Sequence, residues 1–449
     1  MAPTTVRSQH RMADISAESR DAPIAKPYAT PTSKNEYAEG WHVFAILFVL
    51  FLVSAISQVD RILPFVMAEA IKSELSLSDT QIGLLTGVAF AVCYTLLSLP
   101  LARAADRGSP RLVLAACILG WSAMTALGGL AASFLVLAFT RFGVAFGEAG
   151  GLPSAHAIIA RKIRPERRGL AIGLFAMGIP LGTMTGFAAG GAISDALGWR
   201  TALIGAGLIG GVLGLLAIFV IGPTAPLKRP TAGSDSFLRS SAELLATPAF
   251  RWLFIGAVAS SFAAAPFYAF AVPFLIRTHG FSAGEAGLAF GLLQGLMGIV
   301  GTLLGGRMFD RAVQSGTGRL LGPPGLVFLV ASVTTTGALF APMGWLTVML
   351  LVPSMLSFAF LLPWGFGTAH LVAGTGKEAM ASSLVMIGSG LLGPAFGPLI
   401  VGMISDAARA AQIPGGLALG LLIVPVASIL SAIALLVADR RVAGVLRRR

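Results

Sequence analysis

Four ionisable residues sit where a charge is least at home. Asp60 and Arg61 lie inside one long apolar run, and Arg141 and Glu148 lie inside another. Each charge at the centre of a bilayer costs roughly 2.5–3.5 kcal/mol on insertion scales, so such residues are expected to face a cavity and to pair. Most of the 20 acidic residues fall in tails, loops or the ends of apolar runs, but Asp60 and Glu148 do not. Desolvation favours the neutral acid and a nearby arginine favours the carboxylate, so geometry decides which form is held. The chemistry open to this set is proton exchange: neutralising Asp60 or Glu148 releases an arginine and shifts the balance between two conformations. Arg141 and Glu148 are two helical turns apart, about 10 Å along an axis and too far for a direct pair. Asp60 and Arg141 fall at similar depth, so the expected link joins these two, with Arg61 left to reach Glu148 or a substrate. The competing use of the same residues is a static ion pair between two helices or, for Arg61, snorkelling to an interface.

The elements that must position these charges are helices in a membrane. The chain has 449 residues, 55% hydrophobic and 12% charged, which is not a soluble composition. Apolar runs of bilayer-crossing length, about 20 residues each, recur at 42–67, 80–101, 112–132, 134–160, 168–193, 201–222, 252–276, 284–304, 320–341, 344–366, 379–404 and 414–438. The expectation is an all-α membrane protein with twelve transmembrane helices.

The net charge of +12 is carried mostly by alternate connections, among them Arg103, Arg107 and Arg111, the run Arg161 to Arg168, and Arg307, Arg311 and Arg319. By the positive-inside rule both termini are expected in the cytoplasm, and the membrane to be the cell (inner) membrane. These cations flank spans without a basic domain around them, so no nucleic-acid partner is expected. Residues 1–38 are polar, without the apolar core of a signal peptide, and read as a disordered cytoplasmic tail. The N-terminal half is expected over 39–222, a Pro- and Ser-rich linker over 223–250, the C-terminal half over 251–439, and a basic tail over 440–449. Cys93 and Cys117 both fall inside spans, where neither a disulfide nor a metal site is expected.

The chain also repeats itself. Gly-X-Ile-Ser-Asp-Ala occurs at Gly191–Ala196 and again at Gly402–Ala407. Gly306-Arg-Met-Phe-Asp310-Arg311 echoes Ala102-Arg-Ala-Ala-Asp106-Arg107. Two similar apolar halves are the signature of a secondary transporter with its site between them. Asp106, Arg107, Arg111, Asp310 and Arg311 are expected to form a cytoplasmic latch, with the cations on helix-end carbonyls and the acids at helix N-termini. Gly178, Pro180 and Gly182 in the fifth run, and Gly393, Pro394 and Gly397 in the eleventh, are expected either to let these helices bend or rock across the interface between halves or simply to pack helices closely. Phe262, Phe267, Tyr268, Phe270 and Phe274, with Trp364 and Phe366, are candidates for either an apolar cavity wall or lipid-facing positions.

The Asp-Arg loop echo, the Gly-Pro pattern and Gly198-Trp199-Arg200 together resemble the major facilitator superfamily. That resemblance implies two pseudo-symmetric six-helix halves, with the first, fourth, seventh and tenth helices around a central cavity. Val59-Asp60-Arg61, Leu77 to Leu85, and Arg141 followed by Gly147-Glu148-Ala149 are similar to the spinster family in particular, and point to a bacterial member. Spinster proteins usually carry Asn-Tyr before the Asp-Arg, where this chain has Ser57-Gln58. The resemblance implies a proton-coupled transporter of a lipid-like amphiphile such as a lysophospholipid or sphingoid lipid, working by alternating access as a monomer among membrane lipids. Asp60 and Glu148 would be the protonatable groups, and Arg61 and Arg141 their partners and contacts for an anionic head group. An organic-anion symporter or drug exporter, or a receptor without transport, are the competing readings. No nucleophile–base set, phosphate loop or ligand cluster marks an enzyme, cofactor or metal site, and His156 and His370 stand alone in sequence.

Overall fold

A computed structural model describes residues 37–223, 237–316, 319–374 and 377–446. Twelve helices in it are long and apolar enough to cross a membrane. In chain order they are α1 Trp41–Val66, α2 Asp79–Arg107, α3 Pro110–Gly128, α4 Phe134–Lys162, α5 Pro165–Leu197 and α6 Trp199–Ile221. The second set is α7 Pro248–His279, α8 Ala283–Gln314, α9 Gly322–Leu339, α10 Gly344–Ala373, α11 Met380–Ala410 and α12 Gly416–Val445. Several overrun the apolar stretch that marks them in the sequence, because backbone hydrogen bonding continues past the apolar zone until a cap or glycine ends it. A short helix, Ala68–Leu75, follows α1, and another, Phe237–Ala246, precedes α7. The second falls inside the stretch expected to be linker, residues 440–445 of the expected basic tail continue α12, and residues 1–36 of the expected N-terminal tail lie outside the described chain.

The first six spans pack on one another, as do the last six. Helix α1 lies against α5 and α6, and α3 against α4 and α6; α7 lies against α11 and α12, and α9 against α12. Between the two sets the main contacts are α5 with α8, α2 with α11, and α1 with α7. An even number of spans puts both ends of the described chain on one face, called here the termini face. One buried apolar cluster joins both halves near the opposite face, through Ile62, Phe187, Phe267, Phe290 and Val401. Toward the termini face the core divides, with Leu50, Trp121 and Phe175 in one half and Phe250, Phe328 and Trp364 in the other. The halves are joined at the opposite face and separate at the termini face.

The four glycines expected to act as hinges or packing points press against a helix of their own half. A Cβ on Gly178 would meet Ser54 Cβ at 2.6 Å, and one on Gly182 would run into the Ala55 carbonyl, both on α1. Gly393 is pressed in the same way against Ser261, and Gly397 against Pro266 at 3.1 Å, both on α7. Pro180 and Pro394 lie inside uninterrupted helices. Small residues here bring α5 onto α1 and α11 onto α7, the same pairing in each half. Among these residues the Pro394 carbonyl does face the other half, 2.7 Å from where a Cβ on Gly87 would stand. Around that contact α2 carries a π-bulge over Leu84–Val88.

Because Gly182 has backbone on its open side, Gly182→Leu is expected to force α5 off α1. Overpacking of this kind costs roughly 1–3 kcal/mol, so the variant should show a lowered unfolding temperature in detergent. An unchanged midpoint would mean that α1 and α5 separate freely.

Candidate functional site

Helices α1 and α4 bring all four sequence-selected charges to one place in the N-terminal half. Glu148 stands in the last turn of the segment Phe134–Ala149, just before α4 breaks at Gly150. Its Oε2 accepts from Arg61 Nη2 at 2.7 Å and from Arg61 Nε at 3.1 Å. The carboxylate is fully buried, whereas the Arg61 side chain keeps 32% of its surface exposed. That guanidinium lies over the rings of Phe90 and Tyr94, 4.7 and 5.1 Å from their centroids, a cation–π arrangement.

The expected side-chain link between Asp60 and Arg141 is not formed. Arg141 Nη1 donates instead to the main-chain carbonyl of Asp60, at 3.3 Å. Both Asp60 carboxyl oxygens are buried and without a hydrogen-bond partner among the described residues. Trp121 of α3 faces this carboxyl, yet its Nε1 makes no hydrogen bond of normal geometry. Ser122 Oγ, Thr125 Oγ1, Arg141 Nε and Glu148 Oε1 are likewise buried and unpartnered. Unsatisfied buried polar atoms are rare in folded proteins, and here they concentrate on three neighbouring helices. Depth counting found the neighbourhood and the Arg61–Glu148 contact but not the arrangement of Asp60 and Arg141, because side-chain reach depends on helix rotation that spacing does not fix.

A second polar centre escaped the sequence reading. Asp79, fully buried at the start of α2, takes a fork from Arg277 of α7: Nη1 to Oδ2 at 2.8 Å and Nη2 to Oδ1 at 2.7 Å. Ser405 Oγ and Arg409 Nη2 of α11 donate to the same carboxylate at 2.7 and 3.0 Å. Lys72 also pairs with Asp79, and Arg277 with Glu69. Burial pushes the Lys72 ammonium below its ordinary range, against the opposing pull of Asp79. This network ties the halves together on the opposite face. Lys72, Arg277 and Arg409 all lie on that side, but nothing in the sequence says that they converge on one acid.

The expected latch on the termini face is not closed across the halves. Asp106 and Asp310 lie near the C-terminal ends of α2 and α8 rather than at helix N-termini, and Asp310 and Arg311 are exposed. The helix-end carbonyls are held within one half by Arg161, which donates to Ala105 and Asp106 at 3.1 and 3.0 Å. Arg111 Nη1 reaches the Ile218 carbonyl at 3.3 Å, and Arg107 is exposed. Of the aromatic candidates, Phe267, Phe270, Phe274 and Trp364 are core residues, and only partly buried Tyr268, hydrogen-bonded to Gln294 and beside Phe65, lies near Arg61. His156 packs edge-on to Phe175, and His370 Nε2 shares a 2.6 Å hydrogen bond with Ser382.

Twelve spans in two similar halves, joined at one face and carrying charges in their interior, make up a secondary transporter. The chain belongs to the Major Facilitator Superfamily, whose family profile matches residues 46–398. It is 35% identical over 382 residues to an MFS-type efflux pump of Mycolicibacterium smegmatis, covering 81% of this chain and 84% of that one. Its fold is similar to the crystal structure of a bacterial homologue of the human lysosomal transporter spinster in an inward-facing, unoccupied conformation, with a TM-score of 0.77 and 26% identity, over 91% of this chain and 98% of that one. The occupied inward-facing form gives 0.75 over 92% and 98%. Within the superfamily the chain sides with the spinster group, and its relatives are transporters rather than enzymes.

Two outcomes check this geometry. Removing one member of a buried, hydrogen-bonded charge cluster costs roughly 3–5 kcal/mol. Asp79→Ala, which leaves three cations facing one another, should therefore lower the unfolding temperature by several degrees or more, partly recovered in high salt. On the same face, Glu74 accepts from Trp199 Nε1 at 2.6 Å and Arg200 Nε at 2.8 Å, and these bonds, Arg200 first, hold its carboxyl below the usual range. The stabilisation is present above the unfolded value near ~4.3 and is lost as pH falls through the lower folded value. A tryptophan fluorescence change below about pH 4, absent in Glu74→Gln, is the expected signature.

Proposed function

We propose that the protein is a proton-coupled exporter of an anionic or zwitterionic amphiphile in the cell membrane, with both termini cytoplasmic. The observation that carries this reading is the unequal treatment of two buried acids a short distance apart. Glu148 has its guanidinium, whereas Asp60 has neither a cation nor a donor on its oxygens. An ionised carboxylate without partners is the costliest form it could take in such an interior. Asp60 is therefore read as the group that exchanges a proton, and Glu148 as the group held by Arg61. Passing the proton between Asp60 and solvent changes what Arg141 and Arg61 have to neutralise, which biases one opening over the other.

The cation-rich connections support the orientation, since Arg103, Arg107, Arg111 and Arg161 lie on the termini face. With that face in the cytoplasm, the divided core describes an inward-facing state. The substrate class is supported by Arg61, a partly exposed guanidinium set among Phe90, Tyr94 and Tyr268. A cation framed by aromatic rings suits a charged head group joined to an apolar body. A second reading, export of drug-like organic anions, is favoured by the similarity to the mycobacterial efflux pump.

Purified protein in liposomes with an imposed pH gradient tests both. Asp60→Asn and Glu148→Gln are each expected to abolish gradient-driven flux while leaving insertion and monodispersity intact. Arg61→Ala should weaken apparent substrate affinity at least tenfold for anionic lysolipids and little for neutral ones. Gradient-driven flux surviving in both acid variants would remove them from coupling. Preference for compact organic anions over lysolipids would select the second reading.

A further inference from the structure

We propose that Asp195 and Asp406, the aspartates of the duplicated hexapeptide, are exchangeable helix caps that set how often the face opposite the termini opens. Each half lends its aspartate to the first turn of a helix in the other half. Asp195, in the last turn of α5, accepts from Gly284 N at 2.7 Å and Ala283 N at 3.3 Å, at the start of α8. Asp406 of α11 accepts from Asp79 N at 3.0 Å, Thr80 N at 2.8 Å and Thr80 Oγ1 at 2.6 Å, at the start of α2.

The two helix starts are built alike. Each has its own capping box, Ser78 with Gln81 and Ser282 with Glu285, which satisfies the amides of the N-cap and third helical residues. The amides of the first and second helical residues are left over, and these are the ones the foreign aspartates take. The glycine that opens each hexapeptide serves that approach. Gly191 lies against the Ala283 carbonyl and Gly402 against the Asp79 carbonyl, with no room for a Cβ at either position. An aspartate facing a helix N-terminus also gains from the aligned peptide dipoles. When the halves part, water can take both amides and carboxylate, so each contact is a bond that exchanges rather than one that locks.

The two caps are not equivalent. The α2–α11 junction is reinforced by the ion cluster on Asp79, whereas the α5–α8 junction has Ala283 in the corresponding place. The uncharged junction is the weaker one, and its cap carries a larger share of the closure there.

Spin labels on Ala132→Cys and Met343→Cys report the separation of the halves on the opposite face, and labels on Arg103→Cys and Arg307→Cys report it on the termini face. These four positions are exposed, while native Cys93 and Cys117 are buried. The measurement needs neither substrate nor a proton gradient, so its outcome is separate from the coupling proposed above. Asp195→Ala is expected to raise the ratio of open to closed opposite face about fivefold, as for loss of a helix cap. Asp406→Ala should raise it less, and the double variant more than either. Asp195→Asn, which keeps an acceptor oxygen, should restore most of the wild-type distribution. The termini-face distance is expected to shorten as the other lengthens, which loosening of the fold alone would not produce. Unchanged distances in a folded double variant would overturn the proposal, as would lengthening on both faces. If the double variant fails to insert, Asp195→Ala alone decides on the same criteria, because it leaves the Asp79 cluster in place.

Discussion

The cost of holding charge away from water organises this molecule. Among the described residues, Glu148, Arg141 and Asp79 are each brought to a partner or a backbone carbonyl, whereas the Asp60 carboxyl oxygens are not. The pairing of Arg61 with Glu148 fixes α1 against α4, and Arg141 ties the same helices through the Asp60 carbonyl. The aromatic cover from Phe90 and Tyr94 adds α2 to the group. The Asp60 carboxyl is left without a hydrogen-bond partner among three such helices.

The two polar centres divide the labour. The cluster around Asp79 joins the halves and belongs to the closed face, whereas the cluster around Asp60 lies within one half. A change in the second can reach the first along α1, which runs from Asp60 to the short helix Ala68–Leu75 bearing Glu69 and Lys72. Lys72 and Glu69 of that cluster are thus joined directly to α1. The packing of α5 onto α1 through Gly178 and Gly182 extends the connection to the helix that bears Asp195.

Much of this was legible in the sequence and some was not, for definite reasons. Span number and the buried charges were readable because hydropathy depends on composition over some twenty residues, and a charge stands out against such a background. Span ends were less so: α2 and α8 continue through Arg107 and Gln314, since main-chain bonding does not stop where the apolar stretch does. The glycines of α5 and α11 marked close approach correctly, but sequence does not say to which neighbour, and Gly178 and Gly182 turned inward to α1. Asp79 was hidden because a carboxylate in a connection normally signals solvent. Its partners Arg277 and Arg409 are 198 and 330 residues away, a separation that only tertiary structure closes.

The π-bulge in α2 has a consequence for registration. A π-turn accommodates one residue more than the α-helix around it, and one residue corresponds to about 100° of rotation. Gly83 before the insertion and Gly87 within it meet α11, and Phe90 and Tyr94 after it meet Arg61. Without that extra residue the rings would be turned by about 100° relative to the glycines. The interface between the halves and the aromatic cover over the arginine are thus phased independently by one local irregularity, and winding it up would swing the rings away from the cation while hardly altering the hydropathy of the span.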